Sequence, residues 1–194
     1  MSLATKIILC SIWGSLIALG FGYAWRYEAT QGVSAAAKAW PERSGLKLGD
    51  TQTTLVLFAH PNCPCTLVSV NQLGDLLGKM PQRPRVYCVI VQAPGLSEDL
   101  SKSSVAAAAR KIDGATSVVD RSGAEAKRFG AATSGQVFAF NPEGKELFRG
   151  GVTAARGHYG PNDGIDALSA VLSATSPKIS STPVYGCSLL GASL

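Results

Sequence analysis

The chain has 194 residues, 46% of them hydrophobic and 16% charged, which is enough apolar material for a core and excludes global disorder. Its length suits one domain with an extension rather than two full domains. Lysine and arginine exceed aspartate and glutamate by 18 to 13, without a basic run, so we expect no nucleic-acid partner. Five cysteines are too few for a disulfide scaffold, yet they require an explanation.

An uncharged apolar stretch occupies residues 7–25, between Lys6 and Arg26. A helix needs about 20 apolar residues to cross a bilayer, whereas a cleavable signal peptide usually has about 7–15. The length favours an uncleaved transmembrane anchor over residues 1–25. Small residues at 34–37 keep signal cleavage open, and a buried soluble helix is the third possibility. Cys10 lies within this stretch and is expected to act as a small hydrophobe.

We expect the short N-terminal tail to stay in the cytoplasm and the rest of the chain to cross the membrane. The body would then face an oxidising compartment, where disulfide chemistry is possible. Residues 26–50 are mixed and Ala-rich, typical of a stalk or a short helix with a loop.

An alternation of strands and helices follows, and it predicts an α/β domain over residues 51–175. The predicted strands are 53–59, 85–92, 117–120, 136–141 and 145–149, and the predicted helices are 66–80, 98–112, 124–129 and 164–174. The first strands should be parallel and buried, and the last two should form an antiparallel hairpin. A Ser- and Pro-rich tail with Cys187 occupies residues 176–194.

The chemistry concentrates at Cys63, Pro64 and Cys65, between the first strand and the first helix. Unpaired N–H groups and the helix dipole stabilise an anion at a helix start, which lowers the pKa of a cysteine there. A disulfide across one residue closes a small, strained ring, and strain makes the bond easier to reduce. We predict a catalytic or regulatory bridge. The alternative is a pair of unreacted buried thiols, or two cysteines bonded elsewhere.

Other candidate residues lie outside this motif. Cys187 is either a third thiol that resolves a disulfide or ligates a metal, or a cysteine that only packs in the tail. His60 and His158 are candidate metal ligands, His60 also as a residue that tunes the thiolate and His158 as a proton shuttle; otherwise each only packs or stabilises a loop. Cys88, in an apolar strand, is expected to be inert, and Asp120 to cap the following turn.

From residue 53 to residue 174 the chain resembles a thioredoxin-superfamily domain of the membrane-anchored TlpA/ResA-like kind, and within it the RedB group of bacterial proteins. The segments that carry this resemblance are TTLVLFAHPNCPC, RVYCVIV, SVVDRSGAEAKRFGA and QVFAFNPEGKELFRGG. The resemblance implies a thioredoxin-like fold, a central mixed sheet flanked by helices. It also implies a protein dithiol or disulfide as partner, a bacterial inner-membrane anchor through residues 7–25, and a domain in the periplasm or extracytoplasmic space.

Two departures from the family pattern concern the site. Pro64 and Cys65 match the second half of the family's Cys-x-x-Cys motif, which places Asn62 where the attacking cysteine stands. Residues 132–135 read Ala-Thr-Ser-Gly, where the family carries a cis-proline that faces the cysteine pair.

Three functions are compatible with these residues. The first is an extracytoplasmic thiol–disulfide oxidoreductase in which Cys63 is attacked or attacks and Cys65 resolves, without a further cofactor. The alternative is a copper(I)- or zinc-handling module that uses Cys63, Cys65 and one of His60, His158 or Cys187, because soft thiolates favour these metals. The third is a scaffold without enzymatic activity.

Overall fold

A computed structural model describes residues 2–34, 37–93 and 99–191. The chain divides into two compact units, Met1–Thr30 and Gln31–Leu194.

The first unit is one long helix, α1 (Leu3–Ala29). Ser2 caps it, because its hydroxyl oxygen accepts a hydrogen bond from the Thr5 N–H at 3.2 Å. None of its residues is buried, and its mean hydropathy is 1.8. At about 1.5 Å per residue, 27 residues are long enough to cross a bilayer, so α1 is a candidate membrane anchor or signal. Part of the predicted cleavage region, residues 35 and 36, lies outside the described residues.

The second unit is built on a five-stranded mixed sheet in the order β3-β2-β1-β4-β5. β1 pairs in parallel with β2, and β2 with β3, whereas β4 runs antiparallel to β1 and β5. The strands are β1 (Thr54–Ala59), β2 (Arg85–Gln92), β3 (Ala115–Arg121), β4 (Gln136–Phe140) and β5 (Glu146–Gly150). This is the predicted thioredoxin-like fold, with three parallel strands and a C-terminal hairpin.

The helices of this unit are α2 (Pro64–Gly78), α3 (Ser104–Lys111), α4 (Ala124–Phe129) and α5 (Asp163–Leu172). Strand β2 and helix α4 have the predicted limits, and the other elements differ by a few residues at their ends. The largest difference lies in the predicted helix 98–112. Helix α3 begins only at Ser104, because Ser103 caps it by accepting a hydrogen bond from the Ala106 N–H. A 3-10 turn at Leu100–Lys102 precedes this cap. Residue 98 lies outside the described residues.

Strand β1 is buried on both faces, which explains its continuous apolar sequence. Leu55 and Leu57 face a core shared with α2, α3 and α5. Val56 and Phe58 face a second core that includes residues of α4. Alternate side chains of one strand therefore bind the two helical layers to the sheet. Edge strand β3 is mostly exposed.

The segment that follows α1, predicted as a stalk, lies along the domain from residue 37 to residue 50. The Trp40 ring packs edge-to-face on Phe129 and on Phe140, with centroids 5.2 Å apart in each case. Leu46 is buried in the same core, and the Gly45 N–H donates to the Glu125 carboxylate at 2.8 Å. These contacts make the segment part of the folded unit, because its apolar side chains complete the second core.

Candidate active site

Cys63 and Cys65 lie at the corner where β1 leads into α2. Cys63 is the N-cap of α2, and Pro64 fills the first helical position, where its missing N–H is not needed. The Cys63 N–H donates to the His60 carbonyl at 3.2 Å, which forms the turn. The Pro61 carbonyl accepts a 2.7 Å hydrogen bond from the Ser103 hydroxyl, so the cap of α3 also fixes this turn.

The two thiols are covered rather than open to solvent. Cys63 is 0% exposed and Cys65 is 8% exposed, whereas Cys187 is only half-buried. Part of the cover is the segment of residues 180–190, which we name the C-terminal strap. Its Cys187 contacts Cys63 through both the thiol and the backbone N–H.

A chain of hydrogen bonds leads from the end of β1 to the Cys63 sulfur. The His60 N–H donates to the Ser134 hydroxyl oxygen at 2.7 Å, and the hydroxyls of Ser134 and Thr66 lie 2.6 Å apart. The Thr66 hydroxyl in turn stabilises the Cys63 thiolate. Because the His60 N–H can only donate, one consistent direction is His60 to Ser134 to Thr66 to Cys63.

Burial raises the pKa of Cys63, but hydrogen bonds from Thr66 and Cys187 outweigh it and hold the pKa below the ordinary value of a thiol. Both residues donate through the side chain and through the backbone N–H. Hydrogen bonds to the charged form favour that form. Cys63 is therefore the sulfur that carries negative charge most readily.

The other two thiols behave oppositely. Burial and the nearby charge of Cys63 raise the pKa of Cys65, while the Arg156 guanidinium acts in the lowering direction. Burial, together with the hydrogen bond and charge of Cys63, raises the pKa of Cys187 to about 12. The cluster therefore holds one acidic sulfur between two thiols that stay protonated at neutral pH.

Backbone hydrogen bonds hold the strap in place beside β4 and β5. The Ser134 N–H donates to the Cys187 carbonyl at 2.8 Å, and the Leu189 N–H donates to the Ala132 carbonyl at 2.9 Å. Arg156 donates to the Gly186 carbonyl at 2.8 Å. Gly186 lies so close to the Ser134 carbonyl that a Cβ at this position would overlap the oxygen. Residues 132–134, where the sequence lacks the proline expected from the resemblance, thus bind the chain's own strap.

The remaining predicted residues lie around this cluster. His60 is half-buried, and its Nδ1 accepts a hydrogen bond from the Asn62 N–H at 3.2 Å. His158 is exposed in the loop after β5. Cys88 is buried in β2, and burial raises its pKa to about 12. Cys10 is exposed in α1.

Asp120 caps the turn before α4. Its two carboxylate oxygens accept hydrogen bonds from the N–H groups of Glu125 at 3.0 Å and Ala126 at 2.8 Å. The predicted cap is confirmed, and it assigns this buried carboxylate to the fold rather than to the site.

Within the described parts of the chain, no group of three or more histidine, cysteine, aspartate or glutamate side chains is arranged to hold a metal ion. Cys65 and Cys187 each contact Cys63 through their thiols. The copper(I) or zinc alternative through Cys63, Cys65, His60, His158 and Cys187 stays a prediction.

Three residues of the site were not predicted from the sequence. Thr66 follows the motif directly, so a hydroxyl in the first turn of α2 was the available signal. Ser134 and Arg156 come from segments distant along the chain, and only the pairing of β1 with β4 brings Ser134 to Thr66. No local pattern marks the loop arginine.

No family model matches the chain, and no curated protein matches it. A hypothetical protein from Sinorhizobium meliloti is similar in structure, with 22% identity and a TM-score of 0.60, over 86% of this chain and 94% of its own. An uncharacterized conserved protein from Geobacillus kaustophilus has 18% identity and a TM-score of 0.61, over 86% and 96%. At such identities the likeness concerns the fold alone.

An exposed lipoprotein thioredoxin from Streptococcus pneumoniae also matches, with 17% identity over 64% of this chain and 86% of its own. Its TM-score is 0.44. The strand order of the sheet is the basis for the thioredoxin-like fold. Membership of the TlpA/ResA-like or RedB group stays a prediction.

Proposed function

We propose that this chain is a thiol–disulfide oxidoreductase that works through the Cys63-Pro64-Cys65 motif. The observation that carries the proposal is the Cys63 sulfur at the start of α2, stabilised as a thiolate by Thr66 and Cys187. The thiolate is the nucleophile of disulfide exchange, so a lowered pKa increases the fraction of Cys63 that can react at a given pH.

The reaction has two exchange steps. The Cys63 thiolate attacks a partner disulfide, forms a mixed disulfide with one partner sulfur and releases the other as a thiolate. Cys65 then loses its proton and attacks the Cys63 sulfur, which closes the Cys63–Cys65 disulfide and releases the second partner thiolate. Two partner sulfurs are reduced and two sulfurs of this chain are oxidised. The reverse sequence oxidises a partner dithiol.

The setting of this reaction follows from the candidate anchor. With α1 in a bacterial inner membrane and the second unit on the extracytoplasmic side, the partner is a protein dithiol or disulfide in an oxidising compartment. The apolar composition of α1 supports the membrane part of this proposal.

The test is a thiol titration of the full chain in detergent, equilibrated in glutathione buffers of defined potential. We expect one disulfide that contains Cys63 to form and break reversibly, and Cys63→Ser to abolish it. Cys10→Ser is the matched control, because Cys10 is exposed in α1 and its loss should leave the potential at which the Cys63 disulfide forms unchanged. Absence of any Cys63 disulfide at every potential would refute the proposal.

A further inference from the structure

The burial of the nucleophile raises a question of access. Cys63 has no exposed surface and Cys65 has almost none, yet exchange requires a partner sulfur to approach a sulfur of the site in line. Cys187 is the most exposed of the three contacting thiols. A partner therefore reaches Cys187 before it reaches the buried pair.

We propose that Cys187 is the outward exchange sulfur of this site, and that oxidation joins it to Cys63 in a disulfide that fastens the strap over the motif. This inference rests on the proposed function and extends it to a third cysteine. Cys187 and Cys63 approach from separate segments, whereas Cys63 and Cys65 are separated by a proline alone, and the short ring is the strained one.

The contacts of the strap show that Cys187 is held in position. Backbone hydrogen bonds flank it at Ser134 and Ala132, and Arg156 binds the carbonyl of the preceding Gly186. The overlap that any Cβ at Gly186 would make with the Ser134 carbonyl shows how closely the two segments pack. Because the backbone on both sides of Cys187 is already fixed, its thiol loses little conformational freedom when it forms a disulfide.

The relative acidity of the two thiols determines which sulfur leaves in the exchange. A partner thiolate attacks the Cys187 sulfur, forms a mixed disulfide there and expels Cys63 as a thiolate. A thiol of lower pKa leaves faster, and Cys63 is the more acidic of the two. The second partner thiolate then attacks the partner sulfur that is bonded to Cys187. This closes the partner disulfide and expels Cys187, which takes up a proton. The partner dithiol becomes a disulfide, and Cys63 and Cys187 are reduced.

Peptide mapping tests the inference in the full chain in detergent. The protein is equilibrated in glutathione buffers, free thiols are alkylated after acid quenching, and trypsin then releases residues 48–79 and 179–194 as separate peptides. We expect a disulfide between these peptides that is lost in Cys63→Ser and retained in Cys65→Ser. A matched Cys10→Ser chain should keep the link.

The outcomes separate this inference from the proposed function. A Cys63–Cys65 disulfide that responds to potential, without any link to 179–194 in wild type or in Cys65→Ser, overturns the role of Cys187 and leaves the function standing. Absence of every Cys63 disulfide overturns both. As a second measurement, Gly186→Ala should lower the yield of the link at least 3-fold, and an unchanged yield contradicts the proposed positioning.

Discussion

Replacement of Thr66 by valine isolates the hydroxyl that stabilises the Cys63 thiolate. Valine keeps the shape of the buried threonine but cannot donate. A hydrogen bond to a charged group contributes about 1.5–3 kcal/mol. At about 1.36 kcal/mol per unit of pKa, its loss should raise the pKa of Cys63 by about 1–2 units. At a pH below the wild-type pKa of Cys63, the thiolate fraction, and with it the alkylation rate of Cys63, should fall by about 10- to 100-fold.

The assay is the pH dependence of iodoacetamide alkylation at Cys63 in the reduced full chain, read by mass spectrometry of the 48–79 peptide. The sign is fixed, because a lowered pKa keeps the wild-type thiolate present at a pH where the Thr66→Val thiol is protonated. Thr66→Ser is the matched control, since it keeps the hydroxyl and should stay close to wild type. An unchanged pKa in Thr66→Val, or equal shifts in the valine and serine variants, would refute the reasoning.

Two further predictions concern the strap and the second core. Gly186→Ala should push the strap away from the Ser134 carbonyl and expose Cys63. Above the Cys63 pKa, where loss of the Cys187 hydrogen bonds no longer changes the thiolate fraction, Cys63 should then be alkylated several-fold faster, whereas Gly78→Ala, at an open helical position, should not change the rate. Equal rates in both variants would show that the strap does not limit access. Trp40→Ala removes two edge-to-face ring contacts and should lower the free energy of unfolding by about 2–3 kcal/mol in denaturant titration, since the ring is only half-buried. A change below about 0.5 kcal/mol, the usual size for a surface substitution, would mean that the segment contributes nothing to the core.

The sequence predicts the sheet well because each strand carries its own signal. The apolar run of β1 and the Pro-Glu-Gly turn between β4 and β5 are local patterns. Strands β1, β4 and β5 all lie within two residues of their predicted limits. The place of the motif at the start of α2 follows from the same patterns. Site residues whose position depends on a single continuous segment can therefore be found from the sequence.

The electrostatics of the site could not be predicted in this way. The direction of the Cys63 pKa depends on Thr66 and Cys187, and the second of these reaches the site only because a chain segment without regular secondary structure pairs with residues 132–134. The segment around Trp40 was missed as part of the core for the same reason. Its pairing, like that of the strap, consists of isolated bridges that have no sequence periodicity.

The route from the His60 N–H through Ser134 and Thr66 makes the reactivity of the sulfur depend on how two strands are aligned. His60 directly follows β1, Ser134 shortly precedes β4, and the pairing of Phe58 with Gln136 sets their separation. A slip of one position would turn every side chain of a strand to the opposite face and take the serine away from the threonine. Substitutions in β1 or β4 that disturb this alignment should therefore lower the reactivity of Cys63, although none of the replaced side chains touches the sulfur.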